Sequence, residues 1–255
     1  EKGEADVVAG AARAVQEQPD DSLRPCGLVR QGTPGASFDS GAAFLRSIDF
    51  IGYWIPATWM NLYRTDLLRS NRLYQAPGRL HQDDDWTYRV FLKAGRVLVA
   101  PFPHYMNRRN PNSVTHSLDL KTLRDRAENA KDACAFFRRG DFPQDFRKTL
   151  ARYFCWNFFW PYFLARKYAG RGVGARLPRK ECREALLASI GSREGFPAYC
   201  EVVRAAGGFY LAGIPLVALA RVRMLFPVAE YAYRIWLNRI LPAWRILFRR
   251  KGAAS

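Results

Sequence analysis

The sequence predicts an α/β fold in the first third of the chain and an all-α region after it. A short strand at the start of residues 5–17 and a β-like run at residues 96–102 are separated by segments of helical spacing, the arrangement expected of an α/β unit. From about Leu118 onward, apolar residues recur only at helical spacing. With 49% apolar residues, the 255-residue chain can bury a real core, as one large domain or two modest ones.

In chain order, residues 5–17 predict a short strand that runs into a loop or a helix. Proline and glycine turn signals over residues 18–37 predict a loop, and the apolar spacing of residues 38–50 predicts a helix. Residues 57–70 predict a helix, or a strand that passes into one.

Residues 87–95 predict a helix that ends at its glycine, and residues 96–102 predict a short strand. A polar loop rich in asparagine follows over residues 107–113. Five to seven helices are expected in the remainder, including residues 118–138, 149–168 and 178–205.

The net charge of +17 is unevenly placed along the chain. Residues 1–50 hold five Lys or Arg against eight Asp or Glu, so the remaining 205 residues carry +20. Such an excess attracts polyanions, whether nucleic acid, anionic lipid or phosphorylated substrates. A nucleic-acid binder is suggested by this charge alone. Because the chain shows no recognised nucleic-acid motif, we expect no nucleic-acid partner.

Cysteine usage indicates a reducing compartment. The five cysteines are scattered and contain no C-x-x-C pair, which argues against a disulfide framework and a zinc site. We expect small buried side chains at Cys26, Cys134, Cys155, Cys182 and Cys200.

The end of the chain has the pattern of a membrane-associated segment. Residues 205–220 are uncharged, but 16 residues with three glycines and a proline fall short of the roughly 20 apolar residues of a membrane-spanning helix. Residues 221–251 hold eight basic residues, one acid and interleaved aromatics, which is typical of a helix in the lipid headgroup layer. The alternative is an ordinary surface helix. We predict amphipathic helices over 205–255 and an anionic membrane surface as partner.

The most distinctive local feature is the acidic run His81-Gln82-Asp83-Asp84-Asp85-Trp86. Three consecutive carboxylates repel one another, so the run costs stability unless a metal, a cationic partner or proton abstraction uses it. The alternative is a solvated acidic start for the helix predicted near Thr87, since carboxylates are stabilised at a helix N-terminus.

Several short motifs accompany the acidic run in a fixed order. They are Trp59-Met60-Asn61-Leu62-Tyr63-Arg64, Gln82-Asp83, the aromatic Trp86, Ala94-Gly95-Arg96-Val97, Tyr105, Arg108, Arg109 and Ser113-Val114-Thr115. In this order they resemble the second half of the catalytic domain of family 2 glycosyltransferases, bacterial inverting enzymes that build cell-surface glycans. Here Asn61 stands where that family usually has Lys, and Gln82 stands where it has Glu.

The resemblance implies a partial GT-A domain, of the nucleotide-diphospho-sugar transferase-like class, followed by the all-α region. Residues 1–117 would form the acceptor-side half of that domain, with a helical region over 118–204 and the membrane-associated helices over 205–255. The implied activity is inverting transfer, of the hexosyltransferase type, from a nucleotide sugar to a cell-surface polysaccharide or lipid-linked acceptor. The implied location is peripheral, on the cytoplasmic face of the plasma membrane.

The resemblance also implies roles for individual residues. Asp83 would be the base that takes the proton of the acceptor hydroxyl, although Asp84 is an open alternative. The acceptor would be bound by Gln82, Asp84, Trp86 and Trp59, with core packing as an equal alternative for Trp86. Arg108 and Arg109 would contact the donor diphosphate, or serve only loop solubility.

Family members hold Mg²⁺ or Mn²⁺ through an Asp-x-Asp motif in an N-terminal nucleotide-binding half. The resemblance therefore implies a divalent cation for the intact enzyme, but those ligands are not in this chain. Its single D-x-D, Asp83-x-Asp85, belongs to the acidic run, and neither His81 nor His116 is expected to bind metal. We expect a chain truncated before Glu1, with little or no transferase activity by itself.

A non-catalytic reading remains open beside the enzymatic one. The basic, aromatic tail is also what a membrane-binding module would need. In that case Asp83 would be dispensable, and residues 1–117 would contribute nothing to binding of anionic membranes.

Overall fold

A computed structural model of the protein describes residues 5–48, 56–109, 119–158 and 177–235. Within these ranges, strands and helices alternate up to residue 109 and only helices follow residue 119. This is the division that the hydrophobic pattern predicts.

Among the described residues, seven short strands form two sheets. They are β1 (Val7–Ala9), β2 (Ala11–Glu17), β3 (Leu23–Arg30), β4 (Ser37–Phe38), β5 (Leu62–Tyr63), β6 (Val97–Val99) and β7 (Tyr105–Arg108). The first sheet has the order β4-β6-β1-β5 and the second has the order β3-β2-β7. Two pairings are parallel, β1 with β6 and β2 with β7, and the others are antiparallel.

The chain passes from the first sheet to the second at Gly10, between β1 and β2. A Cβ atom at this position would lie 1.8 Å from the carbonyl oxygen of Met60 and 2.2 Å from the ring of His104. Only glycine therefore allows the loop before β5 to approach the sheet this closely. That approach places residues 58–61, called the Trp59 segment below, beside the strands.

Nine helices are described. They are α1 (Gly41–Ser47), α2 (Thr65–Ser70), α3 (Gln82–Lys93), α4 (Leu120–Arg139), α5 (Arg147–Phe158), α6 (Arg179–Ala188), α7 (Gly195–Ala206), α8 (Gly213–Arg221) and α9 (Phe226–Ile235). The longest, α4, has a sequence-encoded start and end: the Asp119 carboxylate accepts from the amide of Thr122, and Gly140 ends the helix in the left-handed conformation.

One buried apolar cluster runs from the first sheet through α3 and α4 into the C-terminal helices. Tyr88 of α3 joins the two parts, because its ring packs edge-on against Phe136 of α4 and against Tyr153 and Phe154 of α5. The helical region therefore packs directly behind α3. The boundaries at 117/118 and 204/205 stay a prediction.

Residues 11–17 and 23–30 differ from the sequence expectation of a loop or helix followed by a loop. They form β2 and β3, with β2 hydrogen-bonded to β3 on one side and to β7 on the other. Strand β2 is rich in alanine, and β3 contains Pro25 and Gly27. These residue types are depleted in strands, so propensity does not indicate a strand at either place. Pairing between distant segments overrides that preference.

Two further element boundaries differ between the sequence prediction and the structure. Residues 107 and 108, predicted to belong to the polar loop of residues 107–113, pair with β2 as the end of β7. Helix α3 begins at Gln82 rather than near Thr87, so the three aspartates lie within its first turn instead of before it.

None of the helices among the described residues is long and apolar enough to cross a membrane. Residues 205–220, the uncharged segment, contain the end of α7, a 3₁₀ turn and most of α8. The aromatic residues 159–168 and the end of the basic tail, 236–255, lie outside the described residues.

Candidate functional site

The candidate site is the N-terminal turn of α3, where the acidic run lies. The chain turns at Gly78, whose φ is +69°, and enters the helix through His81, whose φ of 55° is unusual for a residue with a side chain. Gln82 is the first helical residue, and the aspartates at 83 to 85 follow it. The helix dipole at this end stabilises negative charge.

Asp84 is buried and paired with an arginine from a distant helix. Its side chain is 14% exposed, and Arg126 Nη1 of α4 donates to its Oδ2 at 3.3 Å. Burial raises the pKa of Asp84 to about 7, although Arg126 acts against that rise. Arg126 also lies 3.2 Å from His81 Nδ1, and burial together with this cation lowers the pKa of His81 to about 4.

Asp85 also forms an ion pair, with an arginine of its own helix. Arg89 Nη2 donates to Asp85 Oδ1 at 2.8 Å across one helical turn, and the Tyr88 hydroxyl donates to the same oxygen at 2.9 Å. The pKa of Asp85 is raised because burial outweighs these contacts.

Asp83 differs from both neighbours. It is half-buried, and its Oδ1 accepts from the amide of Asp84 at 3.1 Å. Burial raises its pKa, and the bond from that amide lowers it less. Among the described residues Asp83 forms no ion pair, so it is the one carboxylate of the run whose charge no arginine pairs with.

Helices α4 and α5 hold the acidic turn from behind. Asp125 Oδ2 accepts from the amide of Leu80, the Asn129 amide donates to the carbonyl of His81, and the Tyr153 hydroxyl donates to the carbonyl of Asp84, each at 2.8 Å. These supporting residues are absent from the sequence prediction. Their sequence signal is a polar stripe at helical spacing on α4, at Asp125, Asn129 and Asp132.

A chain of hydrogen bonds links the acidic turn to the Trp59 segment. Gln82 Nε2 donates to Gln75 Oε1 at 3.4 Å, and Gln75 Nε2 donates to the hydroxyl of Thr58 at 2.8 Å. This chain of hydrogen bonds ends at Thr58, the residue before Trp59. It therefore links the segments that carry Gln82 and Trp59, two of the predicted acceptor residues.

Trp59 itself forms an exposed aromatic pair with Tyr105 of β7. The ring centroids are 4.5 Å apart with a tilt of 32°, and the two residues are 40% and 41% exposed. Amphipathic rings of this kind offer an apolar face with a polar edge, which suits contact with a sugar ring.

Asn61, which replaces the usual Lys of the resemblance, has a structural role. It is buried, its Oδ1 accepts from the amide of Gly10 and from Gln31 Nε2, and its Nδ2 donates to the carbonyl of Ala57 and the hydroxyl of Tyr63. Asn61 thereby fixes the Trp59 segment to the crossing between the two sheets.

The placement of Trp86 corrects one predicted role. Trp86 is 6% exposed, its Nε1 donates to the carbonyl of Leu73 at 3.1 Å, and its ring packs edge-on against Tyr63. A ring covered in this way presents no face to a sugar, so the core alternative describes Trp86 and the acceptor role does not.

The predicted phosphate-binding arginines lie at the end of β7. Arg108 is exposed and pairs with Glu17 of β2 at 3.1 Å, while the amide of Arg109 donates to the carbonyl of Val15. An incoming diphosphate would have to displace Glu17 from Arg108. Ser113, Val114, Thr115 and His116 lie outside the described residues.

The described residues do not fit a divalent cation. Over residues 5–48, 56–109, 119–158 and 177–235, no group of three or more His, Cys, Asp or Glu side chains is placed to hold one. Asp84 and Asp85, part of the only D-x-D, already pair with arginines.

The buried Asp84 predicts a distinctive pH dependence of stability. A carboxyl whose pKa rises on folding stabilises the fold below its unfolded pKa, and this contribution is lost as pH rises through the folded pKa. Between about pH 5 and pH 8, we expect unfolding free energy of the wild type to fall by about 2–3 kcal/mol relative to Asp84→Asn. Urea denaturation across this range measures the difference, and parallel pH profiles would contradict the prediction.

Comparison with known proteins supports an assignment of the fold. No protein-family model matches this chain, and no curated protein matches it. The chain is similar to crystal structures of S. aureus TarS 1-349 alone, with UDP and with UDP-GlcNAc, at TM-scores of 0.53, 0.51 and 0.50. Sequence identity is 15%, 15% and 14%, over 90% of this chain.

The chain spans only 58–60% of the length of those TarS structures. At this level of identity the likeness concerns the fold alone, and it agrees with the parallel and antiparallel strands and the helical region described above. The predicted fold class is confirmed: the protein has an α/β, glycosyltransferase-like fold of the GT-A type.

Proposed function

We propose that this chain forms the acceptor side of an inverting glycosyltransferase of the family 2, hexosyltransferase type, with Asp83 as the catalytic base. The observation that carries the proposal is the asymmetry of the acidic run. Burial raises the pKa of all three carboxyls, but arginines pair with Asp84 and Asp85, whereas Asp83 forms no ion pair among the described residues. Its raised pKa makes the Asp83 carboxylate a better proton acceptor than an ordinary aspartate.

The proposed step is a direct displacement. Asp83 takes the proton of an acceptor hydroxyl while that oxygen forms a bond to the anomeric carbon of the donor sugar. The bond between this carbon and the diphosphate oxygen breaks, and the nucleoside diphosphate leaves with both electrons. One displacement at one carbon inverts its configuration, and Asp83 ends protonated.

The acceptor is proposed to bind over the surface between Asp83 and the Trp59–Tyr105 pair. The aromatic rings would contact a sugar face, and Gln82, held by Gln75, would orient the acceptor by hydrogen bonds. Gln82 is an amide, so it cannot share a proton with Asp83 as an acid at this position would. Asp84 would act on the acceptor only through its position beside Asp83.

The donor is proposed to be a nucleoside diphosphate sugar. Two of the similar TarS structures were crystallised with UDP and UDP-GlcNAc, which supports this class of donor. Arg108 and Arg109 would contact the diphosphate, since guanidinium groups can grip phosphate with two bonds. A divalent cation is proposed to assist such a donor, although no group of ligands for it lies among the described residues.

The acceptor class that we propose is a cell-surface polysaccharide or a lipid-linked glycan. The basic C-terminal helices support this choice, because a chain held at the cytoplasmic face of the plasma membrane would meet such acceptors as they are built. Nucleic acid is not proposed as a partner.

A product assay with the complete gene product tests the proposal. It would be incubated with a panel of nucleotide sugars and membrane-derived acceptors, and both the released nucleotide and the anomeric configuration of the new linkage would be measured. We expect sugar-dependent nucleotide release with inversion. Retention of configuration, or no nucleotide release from any donor, would contradict the proposal.

A second candidate function is a non-catalytic, basic membrane-binding module. An apolar surface on the C-terminal helices favours it, since Met224 is 86% exposed and Tyr231 is 68% exposed. Membrane binding together with no nucleotide release from any sugar donor would favour this candidate over the transferase.

A further inference from the structure

The C-terminal helices carry an apolar face that points away from the protein. On α9, Val228, Tyr231 and Ile235 follow one another at helical spacing and are 52%, 68% and 40% exposed. The opposite face is buried through Phe226 and Ala229. A surface helix ordinarily has polar residues on its outer face, so α9 is apolar on both sides.

The turn before α9 extends this face. Met224 is 86% exposed, the largest exposure among the exposed large apolar residues of the described chain, and Leu225 beside it is 36% exposed. These five residues, Met224, Leu225, Val228, Tyr231 and Ile235, are called the apolar stripe below. Exposed apolar groups that lie together mark an interaction surface rather than a random part of the exterior.

A basic cavity adjoins the stripe. Its volume is about 470 Å³, and it is lined by Arg179, Lys180, Arg183, Glu184, Arg223, Phe226 and Pro227. Four cations against one acid give the lining a formal charge of +3. Because Arg223, Phe226 and Pro227 lie between or beside members of the stripe in sequence, the cavity and the stripe share the start of α9.

The helices that form the cavity are fixed to one another. Arg183 of α6 donates through Nε to the carbonyl of Ala220 at 3.3 Å and through Nη2 to the carbonyl of Arg221 at 2.5 Å. These carbonyls lie at the C-terminal end of α8, where a cation also interacts favourably with the helix dipole. Lys180, by contrast, is 79% exposed and only 3.9 Å from Glu184 at the surface, so it can reach an anion.

We propose that the apolar stripe and the basic cavity together form a docking surface for the anionic phospholipid membrane. The anionic headgroups would lie against Lys180 and Arg223 at the cavity, and the stripe would enter the boundary between headgroups and acyl chains. The juxtaposition of apolar and cationic groups favours a bilayer over an acidic protein, which would leave the stripe in water. The sequence after α9 agrees, because residues 236–255 hold five basic residues and no acid.

Vesicle co-sedimentation of the full 255-residue chain tests this surface. Vesicles of phosphatidylcholine alone would be compared with an equimolar mixture of phosphatidylcholine and phosphatidylglycerol. We expect binding to the anionic vesicles, reduced at least about tenfold by Lys180→Glu/Arg223→Glu, since each cation near the surface contributes to the attraction. Met224→Ser/Val228→Ser/Tyr231→Ser should reduce it to a similar degree, since the inserted apolar area is lost.

Matched variants elsewhere serve as controls. Lys131→Glu/Arg69→Glu makes the same charge change on α4 and α2. Leu62→Ser/Tyr74→Ser/Phe102→Ser replaces residues that are 61%, 72% and 65% exposed. Both should bind vesicles as the wild type does.

Two outcomes would overturn the proposal. If both docking variants bind anionic vesicles like the wild type, the attraction comes from another part of the chain. If soluble glycerol phosphate binds the wild type, Lys180→Glu/Arg223→Glu abolishes that binding and the serine variant still binds vesicles fully, the cavity is a site for a soluble phosphate compound. The proposal does not depend on the transferase activity, so either can fail alone.

Discussion

Replacing Asp83 with asparagine is expected to lower the transfer rate of the complete gene product by at least about a hundredfold, the usual contribution of a general base. Asparagine keeps the size and the hydrogen-bond acceptor of the side chain, so the bond from the amide of Asp84 can persist. What it loses is the ability to take the acceptor proton. The expected loss is therefore in kcat, with little change in KM for the donor.

Two variants make this result specific. Asp66→Asn changes the second residue of α2, the position that Asp83 occupies in α3, and so controls for the loss of a charge at a helix N-terminus. Its rate should match the wild type. If Asp83→Asn keeps its activity while Asp84→Asn is inactive and folded, the base is Asp84 and the assignment of Asp83 is wrong.

Replacing Arg126 with methionine is expected to destabilise the fold by about 3 kcal/mol at about pH 9, where Asp84 is ionised, because it leaves a buried carboxylate without its partner. Arg126 and Asp84 are 15% and 14% exposed, so water cannot replace the lost contact. Chemical denaturation measures the change. Since Arg126 holds the pKa of Asp84 down, its removal raises that pKa further, and the loss should grow as pH rises through about 7.

A double variant separates the ion pair from simple packing. Asp84→Asn/Arg126→Met removes both charges, so it should recover most of the loss and lie within about 1 kcal/mol of Asp84→Asn. Arg138→Met breaks a comparable but exposed pair, Arg138 with Glu201, and should have a much smaller effect. Equal losses in the single and double variants would show that packing, not charge, holds Arg126 in place.

Local sequence signals were sufficient for part of the site. The motifs that include Trp59, Gln82 and Asp83 resemble family 2 glycosyltransferases, and the glycosyltransferase-like fold that this resemblance implies is confirmed by the structural comparison. Helical spacing in the sequence also predicts the helices α1 and α4. The pair Asp85–Arg89 was not predicted, because the sequence analysis places the helix start near Thr87. These two residues become helical neighbours only because α3 begins at Gln82.

Other features depend on contacts between distant segments. Residues 11–17 became β2 because they pair on both edges, with residues 23–30 and with residues 105–108. Propensity, which reads only neighbours in sequence, favours a helix for a run rich in alanine. Trp86 shows the same limit of local sequence information. Its spacing fits a binding residue, and only its packing against Tyr63 shows that it lies in the core.

The sequence by itself determined the fold class, the order of the motifs and the uneven charge, because these follow from residue type and spacing. Only the tertiary structure shows that Asp83 and Asp84 have different surroundings. Arg126, which pairs with Asp84, is 42 residues away from it along the chain. The pKa of a carboxyl depends on burial and on nearby charges, and neither is encoded in the adjacent residues. For the same reason the apolar stripe became visible only when α9 was seen to bury one apolar face and expose another.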